Sequence, residues 1–503
     1  MKSNSQHLWL LFTFLIGFGL LTWQLDDKSF WCDELFTVRM ADSSPGQILT
    51  AVAADLHPPL YFLFIKGWAE ITGTSESTLR LPSVVFALLG LFCTWRLGIR
   101  TVGHNAAQIG VMALACSPLF IEFSRMARYY SMTLAFGVLA TLMFVNALER
   151  KRWLDWIVYG SVCVLLIYTF YLGAALILAH GLFLIMDRQA TRSQGIKWLL
   201  SMFIVIVACA AWLPVVLGNQ MIRAGGHRAD FAGSLSGLAL SLTYPWYAFS
   251  IGETIFPWFP TAVPSAFAVL GLTIWWFSCH AIPWWRLMLL LILLPVLSAS
   301  LVINFISTGT PFLNIPVRAL FIMPYFSLAF GAGWVALPRL SWRIGLAVLI
   351  GTTWIFSLFN YYTNRRFIIN PIYTAPVRQV ARQIASQAGP HDVVIGEEDS
   401  GFSYYYLRTG RKAPYFEALQ TDTITAYITT HQVKNAWLVT IGRDGSRRLV
   451  PQKIMSWLEE NYRLIVENGY AEQDPVYRKV KEFFLHRPTY RYRMRVQRYE
   501  RLP

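Results

Sequence analysis

The composition of the chain is that of a membrane protein. Of its 503 residues, 55% are hydrophobic and only 14% are charged, whereas about 25% of a soluble globular chain is charged. A secreted soluble enzyme, a disordered scaffold and a nuclear factor are therefore excluded. The formal net charge is +15, and part of it is expected on cytoplasmic loops, which carry Lys and Arg for topological reasons.

The apolar runs predict a mainly α-helical protein that crosses the membrane many times. The first run, residues 8–25, follows a single Lys2 and precedes no small-residue cleavage site, so we predict an uncleaved first span. Nine further runs lie at residues 80–101, 106–121, 130–148, 153–186, 198–217, 262–280, 286–303, 318–337 and 343–360.

The run 153–186 decides the number of spans. One helix over these 34 residues would be about 51 Å long, against a hydrocarbon core of about 30 Å. Two short spans that turn at residues 168–173 fit better, and they place most Lys and Arg of the later loops on the cytoplasmic side. We therefore predict about 11 transmembrane helices in the cell (inner) membrane, with a cytoplasmic N-terminus.

The outer side of the membrane is expected to carry the chemistry. Under this topology the first outer loop, 26–79, the long outer loop, 218–261, and the chain after Tyr361 all lie outside. Of the 14 acidic residues before position 361, 11 lie on that side. Carboxylates near a membrane are costly unless they are solvated, paired or used, so their placement indicates a task outside.

Residues 362–503 predict a small extracytoplasmic α/β domain, next to a transmembrane domain of residues 1–361. The predicted elements are a helix over 376–388, strands over 392–396 and 436–442, a helix over 451–462 and an alternating strand over 490–496. The domain contains no P-loop and no GxGxxG pattern, so we predict no nucleotide site in it.

The charge of this second domain is not explained by topology. After position 361 the chain has 22 basic and 14 acidic residues, and six arginines lie between Arg487 and Arg501. Because this part is predicted to lie outside, the excess indicates anionic lipid headgroups or an acidic glycan as partner. Nucleic acid is excluded as a partner.

Two features of the first outer loop are candidates for chemistry. Asp33 and Glu34 directly follow the first span and are either a solvated acid pair or a general base and metal-binding carboxylates. His57 opens the segment His57-Pro58-Pro59-Leu60-Tyr61, whose prolines stop a helix before an amphipathic stretch. His57 and Lys66 are candidates for contact with a lipid phosphate.

A second group of candidates lies at the outer ends of later spans. Arg125 and Arg128 run against the positive-inside bias, and guanidinium groups suit phosphate oxygens; Tyr130 adds a hydroxyl donor at the interface. The alternative is an ion pair of Glu122 with Arg125 on one helical face. Three further candidates are less specific, namely Arg318, as a phosphate ligand or an interface anchor, and the acids Glu122 and Glu253.

Taken in order, these motifs resemble the polytopic GT-C glycosyltransferases. The resemblance is closest to the branch with protein O-mannosyltransferase-like enzymes and the lipid A aminoarabinose transferase, and it covers about residues 8–360. The matching motifs are Asp33-Glu34, His57-Pro58-Pro59-Leu60-Tyr61, Arg80-Leu81-Pro82-Ser83 and Ala127-Arg128-Tyr129-Tyr130. The C-terminal domain resembles the outer domains of such enzymes only in placement.

The resemblance implies a hexosyl- or pentosyltransferase that uses a sugar on a polyprenyl phosphate as donor. It implies Asp33 as general base, inversion at the anomeric carbon, and Glu34 as support for the loop or acceptor ligand. Arg128, with Arg125 and His57, would bind the donor phosphate. A divalent metal, Mg or Mn, stays open, with Asp33, Glu122 and Glu253 as its candidate ligands. The acceptor would be a hydroxyl of a glycan, lipid or protein.

Two other functions remain open at this stage. A polyprenyl-diphosphate-linked oligosaccharide polymerase or ligase also handles such lipids outside, and it differs in carrying an oligosaccharide on a diphosphate. A lipid or sugar transporter would favour ionisable residues within the spans and symmetry-related halves, and neither is seen in the sequence.

Overall fold

The structure is a computed structural model that describes most of the chain. The described residues are 2–187, 191–220, 235–278, 284–306, 311–363, 369, 371–397, 401–443, 451–471, 474–485 and 492–502. Residues 221–234 of the predicted long outer loop, and Arg487 and Arg491 of the arginine-rich tail, lie outside these ranges.

The chain forms two compact units. The first comprises Met1–Leu25 and Thr37–Tyr362, and the second comprises Asp26–Phe36 and Thr363–Pro503. The second unit therefore takes up an eleven-residue segment of the predicted first outer loop, which contains the acid pair. No feature of the sequence signals this exchange.

The first unit is helical in its described parts. Its helices, from the amino end, are Lys2–Thr22, Cys32–Asp42 (which begins in the second unit), Pro45–Ala53, Leu60–Thr72, Glu76–Thr101, His104–Cys116, Pro118–Ser124, Tyr130–Arg150, Trp153–Thr169, Ala174–Met186, Arg192–Ala210, Leu213–Val215, Leu235–Ile251, Ala262–Ser278, Trp285–Ile306, Ile315–Arg318, Met323–Val335 and Leu340–Thr363. Short 3₁₀ turns lie at Tyr171–Gly173, Pro311–Asn314 and Leu320–Ile322, and a π turn lies at Val216–Gln220.

By length and composition, five described helices are suited to cross a membrane. They are Glu76–Thr101, Tyr130–Arg150, Arg192–Ala210, Trp285–Asn304 and Leu340–Thr363. The count rises to seven when two helix pairs, bent by 57° at Ser117 and by 48° at Ala319, are each taken as one span. Four shorter apolar helices accompany them. The multi-pass class is therefore confirmed, and the count of eleven stays a prediction.

The predicted division of run 153–186 is confirmed. Two helices, Trp153–Thr169 and Ala174–Met186, are separated by the 3₁₀ turn Tyr171–Gly173. The break falls inside the aromatic stretch 168–173, and neither helix is longer than the hydrocarbon layer is thick.

Glycines allow close packing between the helices. A Cβ at Gly110 would lie 2.7 Å from the carbonyl oxygen of Ser327, and one at Gly331 would collide with the carbonyl oxygen of Ala106. The helices His104–Cys116 and Met323–Val335 therefore touch backbone to backbone, as small residues permit in membrane proteins.

The second unit contains a five-stranded mixed sheet. Its strands are β1 (Asp392–Gly396), β2 (Tyr415–Glu417), β3 (Asn435–Arg443), β4 (Tyr462–Tyr470) and β5 (Tyr492–Arg501), in the order β2-β1-β3-β5-β4. Strand β1 pairs parallel with β2 and β3, while β5 pairs antiparallel with β3 and β4. The predicted α/β class of this domain is confirmed.

The two faces of this sheet pack differently. One face carries the apolar core, where Val393, Ile395 and Leu438 pack with the helices Thr421–Thr430 and Gln452–Asn461. The other face carries Trp437 and Val496 opposite the amphipathic helix Val377–Gln387. The remaining helices of the unit are Phe402–Tyr406 and Pro475–Leu485, with a 3₁₀ turn at Pro371–Thr374.

Candidate functional site

The acid pair occupies the first turn of the helix Cys32–Asp42. Glu34 is buried, and its Oε2 accepts a hydrogen bond from the backbone N–H of Trp31 at 3.5 Å. This is one half of a capping box, so Glu34 stabilises the start of the helix. Asp33 is half-exposed, with the Cys32 sulfur 3.7 Å from its Oδ1.

The segment before this helix is held by residues far away in sequence but in the same unit. The backbone N–H of Phe30 donates to the Tyr405 hydroxyl at 2.7 Å, and the Ser29 hydroxyl accepts from the backbone N–H of Arg378 at 3.0 Å. The Arg378 guanidinium donates to the carbonyl oxygens of Asp26, at 2.7 Å, and Asp27, at 3.1 Å. The approach to the acid pair is therefore fixed by side chains of the second unit.

In the first unit, three candidate motifs meet around Arg128. Its guanidinium Nη2 lies 3.0 Å from Nε2 of His57, and Nδ1 of His57 lies 3.2 Å from Oδ2 of Asp55. Because the guanidinium can only donate, Nε2 must accept, and the imidazole proton must sit on Nδ1, facing the carboxylate. The result is a relay in which Asp55 orients His57 and His57 orients Arg128.

Aromatic rings enclose this relay. The Arg128 guanidinium carbon lies 5.8 Å from the ring centre of Phe62 and 5.1 Å from that of Tyr129, and Arg128 is only 2% exposed. The electron-rich faces of these rings lower the cost of burying the guanidinium charge. The arrangement therefore places a guanidinium, a group that suits phosphate oxygens, in a water-poor place.

The third motif of the resemblance supports the backbone at this point. The Ser83 hydroxyl lies 2.6 Å from the carbonyl oxygen of Met126 and 3.3 Å from that of Arg128. Arg80 donates from Nη1 to the carbonyl oxygen of Leu25 at 2.9 Å. The Arg-Leu-Pro-Ser motif thus positions the chain that carries Arg128.

Arg125 has a different environment from Arg128. It is 4% exposed, its Nη2 donates to the carbonyl oxygen of Trp23, and its guanidinium lies over the rings of Tyr361, at 5.4 Å, and Tyr362, at 4.9 Å. These contacts join the end of the first helix to that of the last helix of the first unit. They favour a structural role, and phosphate binding by Arg125 stays a prediction.

The remaining basic and tyrosine candidates are scattered. Lys66 pairs with Glu70 one helical turn later, with Nζ 3.3 Å from Oε1. Tyr130 is buried, and its ring centre lies 4.9 Å from that of Tyr129. Arg318 is half-buried at the end of the short helix Ile315–Arg318. Of these three, Tyr130 adjoins the relay through its contact with Tyr129.

The acidic metal candidates Glu122 and Glu253 are both buried in the first unit. Glu122 is buried in the short helix Pro118–Ser124. Glu253 is buried too, it accepts a hydrogen bond from the Tyr244 hydroxyl at 2.8 Å, and burial raises its pKa to about 7. Within the described ranges no three His, Cys, Asp or Glu side chains come together in a way that would hold a metal ion.

Sequence reasoning missed part of this arrangement. Asp55 and Phe62 support His57 and Arg128 but were not singled out, and Ser83 was named in a motif without a role. A search of the outer loops for a carboxylate two residues from the histidine would have found Asp55. Nothing local to Tyr405 or Arg378 marks their contacts with the segment before the acid pair.

The fold and the motifs define a class of protein. The structure is similar to two crystal structures of ArnT from Cupriavidus metallidurans. Each match covers 99% of this chain and 98% of the ArnT chain. The one bound to undecaprenyl phosphate has 12% identity and a TM-score of 0.55, and the apo one has 13% identity and a TM-score of 0.53. A structure of arabinofuranosyltransferase AftD from Mycobacteria has 11% identity and a TM-score of 0.47. That match covers 100% of this chain and 40% of the AftD chain.

A protein-family model matches one part of the chain. Residues 56–214 match the model of the dolichyl-phosphate-mannose-protein mannosyltransferase family, a range that contains the motifs around His57, Ser83 and Arg128. No curated protein matches the chain. The shared fold and the family match over residues 56–214 agree with the resemblance to GT-C glycosyltransferases seen in the sequence.

Proposed function

We propose that the protein is a membrane glycosyltransferase that moves a sugar from a polyprenyl phosphate to a hydroxyl of a glycan, lipid or protein. The transfer takes place on the outer side of the cell membrane. The observation that carries the proposal is the relay Asp55–His57–Arg128, which presents a buried guanidinium among aromatic rings. Such a guanidinium suits the single phosphate of a lipid-linked sugar. The neighbour bound to undecaprenyl phosphate and the family match support a donor of this kind.

The proposed reaction is a single displacement. The Asp33 carboxylate takes the proton of the acceptor hydroxyl, and the oxygen attacks the anomeric carbon of the donor. The bond from that carbon to the phosphate oxygen breaks, and the polyprenyl phosphate leaves with one more negative charge. Attack opposite to the leaving group inverts the anomeric carbon. Arg128 stabilises the charge that develops on the phosphate.

The two acids divide their tasks in this proposal. Glu34 is buried and caps the helix, whereas Asp33 in the same turn is half-exposed. Glu34 therefore supports the loop and Asp33 meets the acceptor. His57 acts as a positioning residue, because its Nε2 accepts from Arg128 and its Nδ1 faces Asp55.

The test is sugar transfer by the purified protein from a synthetic polyprenyl-phosphate sugar. We expect Asp33→Asn to lower kcat by about 10²–10⁴-fold, with the donor KM unchanged. Asp26→Asn is the matched control, since it makes the same change at an exposed residue of the same segment. Equal transfer by the wild type and Asp33→Asn would contradict the assignment of the base.

The choice of donor in this test distinguishes the proposed function from the two alternative functions. A synthetic polyprenyl-diphosphate oligosaccharide is offered beside the monophosphate sugar, and we expect transfer from the monophosphate only. Transfer from the diphosphate alone would favour a polymerase or ligase. Uptake of substrate into sealed vesicles without a new glycosidic bond would favour a transporter.

A further inference from the structure

The second unit contains a pocket that the proposed reaction does not use. It lies on the sheet face opposite the apolar core, between the helix Val377–Gln387 and the strands β3, β4 and β5. Its volume is about 490 Å³, which falls within the range of small-molecule sites. All residues that line it belong to the second unit.

Two buried polar atoms in this pocket lack a hydrogen-bond partner in the described part of the chain. Trp437 is 5% exposed, and its indole N–H has none. The guanidinium of Arg498 lies 5.2 Å from the ring centre of Trp437, its Nη2 donates to Oδ1 of Asn435 at 3.3 Å, and its Nε has no partner. Buried Trp N–H groups normally find a partner, so these two donors indicate a ligand with acceptor oxygens.

The remaining lining residues fit a sugar. Gln383 and Gln387 stand one turn apart on the helix, and Asn468 and Tyr470 lie on the same face of strand β4. Each amide presents both a donor and an acceptor, as a sugar hydroxyl does, and the tyrosine adds a hydroxyl and a ring. Aliphatic side chains complete the wall.

The charge of the pocket selects an acidic sugar. Arg498 is its cation, and no acidic side chain is among the described residues that line it. One guanidinium suits one carboxylate, and its contacts with Asn435 and Trp437 hold it in place without neutralising it. The excess of 22 basic over 14 acidic residues after position 361 strengthens attraction of an anion over longer distances.

We propose that this pocket is a saccharide-binding site of the second unit that takes a uronic acid, with its carboxylate on Arg498 and a ring oxygen or hydroxyl on the Trp437 N–H. The site goes beyond the proposed transfer reaction, since binding here needs no donor lipid and forms no bond. It gives the protein a second point of contact with an acidic glycan.

The experiment is calorimetric titration of the full chain in detergent micelles, without donor lipid. The probes are trigalacturonic acid and its neutral counterpart, a 1,4-linked galactotriose. We expect saturable binding of trigalacturonic acid, with an affinity about tenfold higher than that of galactotriose. The reason is that one charge-assisted hydrogen bond raises affinity about tenfold or more. Since no transfer is measured, failure here leaves the proposed function untouched, and failure of transfer leaves this site untouched.

Variants locate the binding. We expect Arg498→Gln to weaken trigalacturonic acid binding about tenfold, to the level of the neutral probe. Arg463→Gln is the matched control, because Arg463 is exposed on strand β4 and does not line the pocket. Asn468→Ala, at an exposed position where folding is not at risk, should weaken binding about threefold. Trp437→Phe keeps the packing, removes the N–H and should have a similar effect.

Four results would overturn the proposal. They are the absence of saturable binding of trigalacturonic acid, equal affinity for galactotriose, equal loss in Arg463→Gln and Arg498→Gln, and unchanged affinity in all three pocket variants. A further arm offers phosphatidylglycerol vesicles to the chain. Binding to these vesicles that depends on Arg498, without saccharide binding, would replace the saccharide by a lipid headgroup and refute the proposal.

Discussion

The basic relay and the acid pair are held in place in opposite ways. Arg128 is buried and His57 is half-buried in the first unit, and the two contact each other across 71 positions of sequence. The segment before Asp33 is held through partners 349 to 375 positions away, at Arg378 and Tyr405 in the second unit. The Arg128 motif is therefore positioned by residues near it in sequence, whereas the acid pair depends on distant residues of the second unit.

This difference separates two effects that substitutions can have on the reaction. Changes around Arg128 should alter how the donor phosphate is bound. Changes at the contacts of residues 26–31 should alter the acid pair and leave donor binding intact. The following predictions run from the largest expected effect to the smallest.

Of the predictions that compare these two regions, the one at Arg128 has the largest expected effect. Arg128→Gln should lower kcat/KM for the donor by about 10²–10³-fold, because it removes the charge that faces the phosphate. Arg128→Lys should recover little of this, since an ammonium lacks the planar fork that His57 and a phosphate share. Steady-state kinetics with varied donor check both, and Arg96→Gln, at an exposed arginine of the same unit, is the control. Unchanged kinetics in Arg128→Gln would refute the role of the relay.

A smaller effect is expected at Arg378. Arg378→Gln removes the bonds to the carbonyl oxygens of Asp26 and Asp27 and should lower kcat by about tenfold through misplacement of the base. The donor KM should not change. Arg382→Gln, on the exposed face of the same helix, should leave both constants as they are. A raised donor KM in Arg378→Gln would show that the two regions are not independent.

His57 tests whether the histidine positions Arg128 or binds the donor itself. In His57→Gln the amide oxygen can still accept from Arg128, so we expect at most about a threefold loss of kcat/KM. His57→Leu cannot accept, and we expect about a tenfold loss. Steady-state kinetics of both variants with varied donor check this. Equal losses of kcat/KM in His57→Gln and His57→Leu would favour direct phosphate binding by His57.

The smallest effect concerns stability and the buried Glu253. Its pKa of about 7 in the folded protein exceeds the ordinary value of 4.5, so the folded state holds the proton more tightly than the unfolded chain. Stability should therefore fall as pH rises from 4.5 to 7, by up to about 1.4 kcal/mol per pH unit.

Thermal unfolding in detergent across this pH range checks the sign. Glu253→Gln keeps the contact with Tyr244 and should remove this part of the pH dependence, with transfer activity unchanged. If the wild-type melting temperature rose between pH 5 and 7 relative to that of Glu253→Gln, this result would contradict the prediction.

The sequence was sufficient for features that depend on local pattern. The helix pair at 153–186, the strand 392–396 and the helix 376–388 follow from length, periodicity and the positions of proline and glycine, and the structure contains all three. Strand β4 and the helix Pro475–Leu485 were not predicted, because β4 is an exposed edge strand without clear alternation. The edge position is set by pairing with β5, which no local pattern encodes.

The candidate site was predictable only in part for a related reason. Arg128 and His57 carry an unusual residue type at an unusual place, and that signal is local. The orientation of His57 depends on Asp55 and on the tautomer of the imidazole, and both follow only from the three-dimensional structure. Arg125 gives the same sequence signal as Arg128, yet its partners are a backbone carbonyl and two tyrosine rings. Residue type alone does not separate an anion ligand from a structural clasp.

The exchange of residues 26–36 into the second unit has a consequence for biosynthesis. Ribosomes deliver Ser29 and Phe30 long before Arg378 and Tyr405, so every helix of the first unit is made while this segment still lacks its final partners. Closing so long a loop costs entropy, which the folded sheet domain must offset. A chain interrupted before residue 362 therefore carries its arginine relay but has no anchored acid pair. Under the proposed mechanism, only the completed polypeptide can therefore hold its acid pair in place.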